Sequence, residues 1–192
     1  MKVGVLALQG SVKEHLNMLE RCGVEPIEVK KAEDMDNIYG LIIPGGESST
    51  IGKLIEEYGL DREIKRKYEL GMPIYGTCAG AILLAKNILG KPQPKLGLMD
   101  ISIKRNDYGR QINSFETLLD VDEFNEPFHG VFIRAPVIHT SYNGAKIMAK
   151  FENKAVLVKQ GNLLVSTFHP ELTNDIRIHK YFVNMIRKSV SY

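Results

Sequence analysis

The chain has 192 residues, of which 44% are hydrophobic and 25% charged, and its formal net charge is +2. This length suits one domain with a sizeable core, and the composition excludes intrinsic disorder. The small net charge argues against a protein that binds nucleic acid or a membrane surface, and no apolar run reaches the roughly 20 residues that span a bilayer. We therefore expect a single soluble domain over residues 1–192.

The first half of the chain alternates between strand and helix patterns. Its strand patterns cover residues 2–8, 27–30, 40–43 and 73–75. Its helix patterns run from Ser11, the expected N-cap, to Gly23, and over residues 51–58, 61–70 and 81–87. Such alternation is typical of a parallel α/β sheet with right-handed crossovers.

The pattern changes after a loop at residues 91–95. Short strand patterns follow at residues 99–104, 114–120, 131–134, 146–151, 155–159 and 163–168, and Gln160-Gly161-Asn162 reads as a hairpin turn. An amphipathic helix is predicted over residues 175–188, with Ile178, Phe182, Met185 and Ile186 facing inward. The expected fold is thus a mostly parallel central sheet flanked by helices in three layers, with an antiparallel extension in the second half.

The two cysteines, Cys22 and Cys78, supply neither a disulfide framework nor metal-ligand spacing. This usage favours a reducing compartment, and the apolar run Val3–Leu8 is too short for a secretory signal. The sequence therefore predicts a cytoplasmic protein. Cys22 lies within a predicted amphipathic helix and is interpreted as a structural residue.

Cys78 lies in the segment Gly76-Thr-Cys-Ala-Gly80, between a predicted strand and a predicted helix. A nucleophile on a tight strand-to-helix turn needs small neighbours, as in the G-x-S-x-G elbow. The helix that follows favours a thiolate, and the N–H of Ala79 would point towards a developing oxyanion. A small buried cysteine is the alternative, but the flanking glycines favour the nucleophile.

A cysteine nucleophile needs a base, and the base needs an orienting group. His169 ends a strand pattern and is followed by Pro170-Glu171, and residues i and i+2 of an extended segment point the same way. His169 is therefore the predicted base and Glu171 the carboxylate that orients it. The other histidines are taken as structural: His15 and His179 in helices, His129 and His139 in loop-like stretches.

The segment Pro44-Gly-Gly-Glu-Ser-Ser-Thr50 follows the third strand. Its glycines let the backbone approach a ligand and offer N–H groups, while Ser49 or Thr50 is expected to cap the next helix. No phosphate-loop or dinucleotide motif is present. Arg105 and Arg134 each follow a strand pattern and could hold a carboxylate, although the pattern of each, taken alone, favours a surface arginine.

Together these segments resemble the class I (triad) glutamine amidotransferases, and among them the glutaminase subunits of the two-subunit pyridoxal phosphate synthase (the PdxT/SNO family). Five segments carry the resemblance along nearly the whole chain: Gly4-Val-Leu-Ala-Leu-Gln-Gly10, Pro44-Gly-Gly-Glu-Ser-Ser-Thr50, Gly76-Thr-Cys-Ala-Gly80, Phe132-Ile-Arg-Ala-Pro136 and Phe168-His-Pro-Glu-Leu172. The second and fourth point to the vitamin B6 branch. The resemblance implies a flavodoxin-like fold.

By this resemblance, Cys78 is the nucleophile, His169 the general base and acid, and Glu171 its orienting carboxylate. The oxyanion hole would be the N–H groups of Gly46 and Ala79. The implied glutamine-binding residues are Gly46, Glu47, Ser48, Arg105, Ile133 and Arg134. No cofactor or metal is implied for this chain.

The implied reaction is hydrolysis of L-glutamine through a thioester, with ammonia passed to a (β/α)₈-barrel synthase subunit in a large hetero-oligomer. Three alternatives stay open on the sequence. One is another glutaminase of the same class, such as that of imidazole glycerol phosphate synthase. The others are a flavodoxin-like cysteine peptidase or deglycase, and a scaffold without activity.

Overall fold

The computed structural model of the chain describes residues 1–105 and 114–190. Its helices are Val12–Arg21 (α1), Ser48–Glu57 (α2), Leu60–Glu69 (α3), Ala79–Leu84 (α4) and Arg177–Val190 (α5), with 3₁₀ turns at Ala32–Met35 and Pro170–Leu172. Its strands are Lys2–Leu6 (β1), Glu25–Val29 (β2), Leu41–Ile43 (β3), Ile74–Thr77 (β4), Ala85–Leu89 (β5), Met99–Lys104 (β6), Ser114–Leu119 (β7), Phe128–Ile133 (β8), Val137–Ser141 (β9), Lys146–Phe151 (β10), Lys154–Gln160 (β11) and Leu163–Ser166 (β12).

Ten of the described strands form one sheet in the order β2-β1-β3-β4-β12-β11-β9-β6-β5, with β10 paired to β11. The strands from β2 to β12 run parallel, whereas β12, β11, β9 and β6 are successively antiparallel. The predicted α/β sheet with an antiparallel extension is confirmed. The parallel strands place their carboxyl ends at one edge, where the loops that carry function gather.

Two apolar layers cover the sheet. On one face α2, α3 and α4 pack their apolar side chains against it, including Ile51, Ile64 and Leu83. On the other face lie α1, α5 and the β7–β8 hairpin, including Phe132 and Phe182. The inward residues predicted for α5 are all buried there. No helix among the described residues is long and apolar enough to cross a bilayer.

The prediction of a helix over residues 81–87 is wrong beyond Leu84. The chain turns at Ala85 into β5, which pairs in parallel with β6, and the N–H of Leu98 bonds to the carbonyl of Leu84. Apolar periodicity cannot distinguish a buried helix from a buried strand over so short a run. Pairing with a distant strand decides the conformation here.

Two further expectations are corrected. Strand β9 was not predicted, and His139 and His129 lie in β9 and β8 instead of in loops. Short strands flanked by polar residues carry too weak an alternation to be recognised alone.

The Gln160–Asn162 hairpin is confirmed: Gln160 pairs with Leu163, and Gly161 has the positive φ that such a turn requires.

Phe182 gives a test of the α5 layer. It is fully buried, and its ring lies 5.6 Å from that of Tyr75 on β4. Phe182→Ala should lower the free energy of unfolding by about 3–5 kcal/mol, since it removes buried area and leaves a cavity. Urea unfolding measures this loss.

Leu118→Ala is the matched control, because Leu118 is 69% exposed on the outer face of β7. Its effect should stay within about 0.5 kcal/mol. Equal losses for the two variants would contradict the packing of α5 described here.

Candidate active site

Cys78 occupies a strained turn between β4 and α4. Its backbone has φ 48° and ψ −100°, a conformation that costs a non-glycine residue about 1–3 kcal/mol unless its surroundings enforce it. A Cβ on Gly76 would collide with the backbone of Gly80, and a Cβ on Gly80 would collide with the carbonyl of Ile43. Only glycines fit on either side of this turn, as the elbow motif predicts.

His169 and Glu171 meet at the carboxyl end of β12. Nδ1 of His169 lies 2.7 Å from Oε1 of Glu171, and both side chains are buried. The segment is not extended as predicted: Pro170–Leu172 forms a 3₁₀ turn, which brings the carboxylate under the ring. The pairing follows from this turn, so the predicted contact is present while the predicted backbone is wrong.

The thiol of Cys78 lies close enough to the imidazole of His169 to raise the pKa of that ring. Gly45 packs against both residues, and a Cβ there would lie 2.5 Å from Cε1 of His169 and 3.4 Å from Cβ of Cys78. Cys78 is 7% exposed and lines the cavity beside it together with His169. The imidazole of His169 thus lies between this cavity and the carboxylate of Glu171.

Burial and local interactions oppose each other at His169 and Glu171. Burial alone lowers the pKa of His169, but its interactions with Cys78 and Glu171 outweigh it and raise the pKa to about 10. Burial alone raises the pKa of Glu171, but interaction with His15 and hydrogen bonds from His169 and Ser11 lower it to about 2. At neutral pH the carboxylate is therefore ionised and the imidazole protonated.

A cavity of about 390 Å³ opens beside Cys78. Among the described residues, and apart from Ile82, its lining consists of residues singled out from the sequence: Gly46, Glu47, Ser48, Cys78, Ala79, Arg105, Ile133, Arg134 and His169. Arg134 also has a positive φ, of 44°. Glu171 is the one predicted site residue outside the lining, because it lies behind His169.

The Gly45–Glu47 loop is held by the start of the chain. The carbonyl of Gly45 accepts from the N–H of Ser11 at 3.1 Å, and the N–H of Glu47 donates to Oε1 of Gln9 at 2.8 Å. Because the C=O and N–H of a trans peptide point in opposite directions, the N–H of Gly46 is directed away from Ser11. Gly10 is required at this crossing, since any Cβ there would strike the carbonyl of Gly45.

Arg105 closes one side of the cavity through an ion pair. It donates to Oε1 of Glu47 at 2.7 Å and to Oε1 of Gln93 at 3.1 Å. Ser48 donates to the same oxygen of Gln93 at 3.0 Å. The cap of α2 is Glu47, and the prediction of Ser49 or Thr50 is wrong. The carboxylate of Glu47 accepts the N–H of Ser49 at the start of the helix.

Four polar residues behind His169, three of them buried, were not predicted from the sequence. Ser11 was assigned as a helix cap, but its hydroxyl makes no cap bond and donates to Oε1 of Glu171 at 2.7 Å. His15, Thr77 and His179 form a connected group next to that carboxylate. The only available signal was the spacing of Ser11 and His15, which places both on one face of α1.

The comparisons with known proteins identify the class as glutamine amidotransferase. A crystal structure of a glutamine amidotransferase superposes with a TM-score of 0.93 at 50% identity, covering 96% of this chain and 98% of that chain. The structure of PurLQS from Thermotoga maritima has a TM-score of 0.68 at 19% identity, covering 99% and 97%, and shares the fold alone.

The chain belongs to the SNO glutamine amidotransferase family, whose profile matches residues 5–188. It is 51% identical to the pyridoxal 5'-phosphate synthase subunit PdxT of Moorella thermoacetica, over 97% of this chain and 100% of that protein. The subunit PdxT of Thermus thermophilus is 52% identical, over 95% and 96%. The family resemblance drawn from the sequence motifs is confirmed.

The depressed pKa of Glu171 predicts how stability depends on pH. A carboxyl group with a folded pKa of about 2, against 4.5 ordinarily, stabilises the fold above pH 4.5, and this contribution is lost as the pH falls towards 2. Glu171→Gln should therefore lower stability at pH 7 and flatten its decline between pH 4.5 and 2. Urea unfolding at a series of pH values measures both effects.

The exposed residue Glu57 supplies the control. Glu57→Gln should change the stability at pH 7 by less than about 0.5 kcal/mol. If Glu171→Gln retained the full decline of the wild type below pH 4.5, Glu171 would not be the ionised, hydrogen-bonded group described here.

Proposed function

We propose that this chain is the glutaminase subunit of a glutamine-dependent pyridoxal 5'-phosphate synthase. It hydrolyses L-glutamine to L-glutamate and ammonia, and the ammonia passes to a (β/α)₈-barrel synthase subunit in a large hetero-oligomer. Family membership and about 50% identity to PdxT subunits over nearly the whole chain support this function. The observation that carries the chemistry is that Cys78 and His169 line one cavity, with Nδ1 of His169 2.7 Å from Oε1 of Glu171.

The first half-reaction forms a thioester. The Cys78 sulfur attacks the side-chain carboxamide carbon of glutamine, and the C=O electron pair moves onto oxygen. The N–H groups of Gly46 and Ala79 stabilise this oxyanion. His169, already protonated, donates a proton to the amide nitrogen as the C–N bond breaks, and ammonia leaves while Glu171 holds the ring.

The second half-reaction regenerates the thiolate. Neutral His169 takes a proton from water, and the resulting hydroxide attacks the thioester carbon. Collapse of the second tetrahedral intermediate breaks the C–S bond and releases glutamate. The same two N–H groups serve both intermediates, so the reaction needs no rearrangement of the loop between steps.

The cavity lining supports an amino acid as substrate. Arg105 and Arg134 offer guanidinium groups for the α-carboxylate, while Glu47, Ser48 and the backbone at Ile133 provide acceptors and donors for the remaining polar atoms. Glu47 pairs with the guanidinium of Arg105 at 2.7 Å, so the carboxylate of an entering glutamine competes with Glu47 for that group.

A cytoplasmic location is part of the proposal. Both cysteines of the chain are free thiols in the structure, which suits a reducing compartment. A reducing compartment also protects a reactive thiolate from oxidation.

Replacing the nucleophile tests the reaction directly. Cys78→Ala should reduce ammonia release from glutamine by at least about 10⁴-fold, since the covalent step is lost. A diazoketone analogue of glutamine should label the wild type at Cys78, as read by peptide mass spectrometry. Both measurements are made with the synthase subunit present.

Cys22→Ala is the matched control and should keep full activity, because Cys22 follows the C-terminal end of α1 and lies outside the cavity lining. Ammonia release unchanged in Cys78→Ala would refute the catalytic proposal. Hydrolysis of peptide or glycated substrates, with none of free glutamine, would favour the peptidase or deglycase alternative.

The synthase should also regulate the glutaminase. The Gly45–Glu47 loop is held by only two hydrogen bonds to the Gln9–Ser11 segment, so docking nearby can alter its geometry. We expect the synthase to raise glutamine turnover by about 10²-fold or more, the typical value of one oxyanion donor. Steady-state ammonia release, with and without the synthase, measures this. Equal turnover would refute the regulation while leaving the reaction assigned.

A further inference from the structure

A second polar cluster lies behind the candidate triad and takes no part in the reaction proposed above. His15, Thr77 and His179 are each completely buried. Nδ1 of His15 lies 2.9 Å from Nε2 of His179, and Nε2 of His15 lies 3.1 Å from Oγ1 of Thr77. Burying two imidazoles in a core costs free energy that apolar residues would not, so the cluster calls for a role beyond packing.

His15 joins the parts of the site that come from distant places in the chain. Thr77 immediately precedes Cys78 at the end of β4, so the hydroxyl that His15 contacts belongs to the elbow strand. On its other side, Nε2 of His15 lies 3.6 Å from Oε1 of Glu171. That same oxygen accepts from Ser11 and pairs with Nδ1 of His169, each at 2.7 Å.

The contacts determine which nitrogen of His15 carries the hydrogen. If Nε2 of His15 carried a lone pair, that lone pair would face the ionised carboxylate of Glu171 and be repelled. An N–H at Nε2 instead presents its positive end to the carboxylate. Nε2 is therefore the nitrogen of His15 that carries the hydrogen. Nδ1 must then accept from Nε2–H of His179, which leaves Nδ1 of His179 bare. Among the described residues, Nδ1 of His179 has no hydrogen-bond partner, whereas the other three imidazole nitrogens of the pair each have one. This assignment requires that pattern.

Both imidazoles are neutral at pH 7. Burial lowers the pKa of His15, and the attraction of Glu171, which would raise it, is the smaller effect. Burial and the neighbouring His15 together lower the pKa of His179 to about 3. The other titratable or charged groups that face the pair are Tyr75, His169, Glu14 and Arg21. The pair therefore acts through fixed N–H dipoles and not through a charge of its own.

Building on the proposed glutaminase function, we propose that His15 is a positioning residue of the reaction. The Nε2–H of His15 is oriented by His179 and lies between the end of β4 and the Glu171 carboxylate, so it fixes the position of one relative to the other. Cys78 directly follows β4, and His169 pairs with Glu171. The residue therefore sets the approach of sulfur to imidazole without touching either reacting group or the substrate.

Two substitutions of nearly equal shape separate this role from packing. His15→Met keeps the volume and removes the donor, whereas His15→Gln retains an amide N–H near the position of Nε2. The wild type and both variants are assayed in complex with the synthase. Turnover is expressed per active site, counted by covalent labelling of Cys78 with the diazoketone.

We expect His15→Met to lower kcat by about 10-fold to 100-fold, the cost of misplacing reacting groups by a fraction of an ångström to one ångström. KM for glutamine should stay within about twofold, because His15 does not line the cavity. The acid limb of the kcat/KM profile should move to higher pH, since Glu171 loses a stabilising dipole. His15→Gln should recover most of kcat and the position of that limb.

A purely structural role would lower thermal stability in both variants and leave kcat, KM and the acid limb of the labelled molecules unchanged. That result would overturn the proposal. Failure of the wild type to release ammonia would instead refute the proposed glutaminase function. The two failures are therefore distinguishable.

Nitrogen-15 NMR of the imidazoles in the wild-type chain gives a readout that needs no variant. We expect His15 to be neutral at pH 7 with its hydrogen on Nε2, and His179 to be neutral with its hydrogen on Nε2. His179→Met should shift His15 away from this tautomer and lower kcat in the same direction as His15→Met. A wild-type His15 that is protonated on Nδ1 alone, or on both nitrogens, would overturn the assignment.

Discussion

The left-handed backbone of Cys78 is the constraint around which the site is arranged. An L residue stays in this conformation only when its neighbours leave it no alternative. Here the restriction comes from close contact between backbones: Gly76 packs on Gly80, and Gly80 on the carbonyl of Ile43. The sheet supplies the rigid frame, because β4 is hydrogen-bonded on one side to β3 and on the other to β12. The sulfur is thereby fixed at the sheet edge where His169 also emerges.

Electrostatic interactions set the protonation states of Glu171 and His169 beside this turn. Glu171 is buried, yet it remains ionised because Ser11 and His169 donate to one of its oxygens. The ionised carboxylate in turn keeps His169 protonated, despite a degree of burial that would otherwise favour the neutral ring. A buried pair of this kind is costly to form and costly to break by removing one partner. Its presence beside a cavity favours a chemical role over a structural one.

Much of the fold could be predicted because its signals are local. Continuous apolar runs mark the parallel strands, and the glycines that flank Cys78 mark the turn, although the clash that requires Gly80 comes from Ile43 on the neighbouring strand. Strands β5 and β9 could not be predicted, since pairing with β6 determines both. In the candidate site, the residues of the motifs line one cavity, whereas Ser11 and His15 carry no motif. Their contacts with Glu171 bridge more than 150 residues of sequence, which no local pattern encodes. The catalytic roles assigned to Cys78, His169 and Glu171 stay predictions.

The short stretch from Gln9 to His15 has a consequence for how such a protein can vary. Gln9 and the backbone of Ser11 hold the loop that bears Gly46, while the hydroxyl of Ser11 and the ring of His15 contact Glu171. The loop that bears Gly46 and the carboxylate of Glu171 are thus both held by one segment of seven residues. An insertion in that stretch displaces both at once, and so does a change at Ser11, whereas replacing Gln9 or His15 acts on one of them.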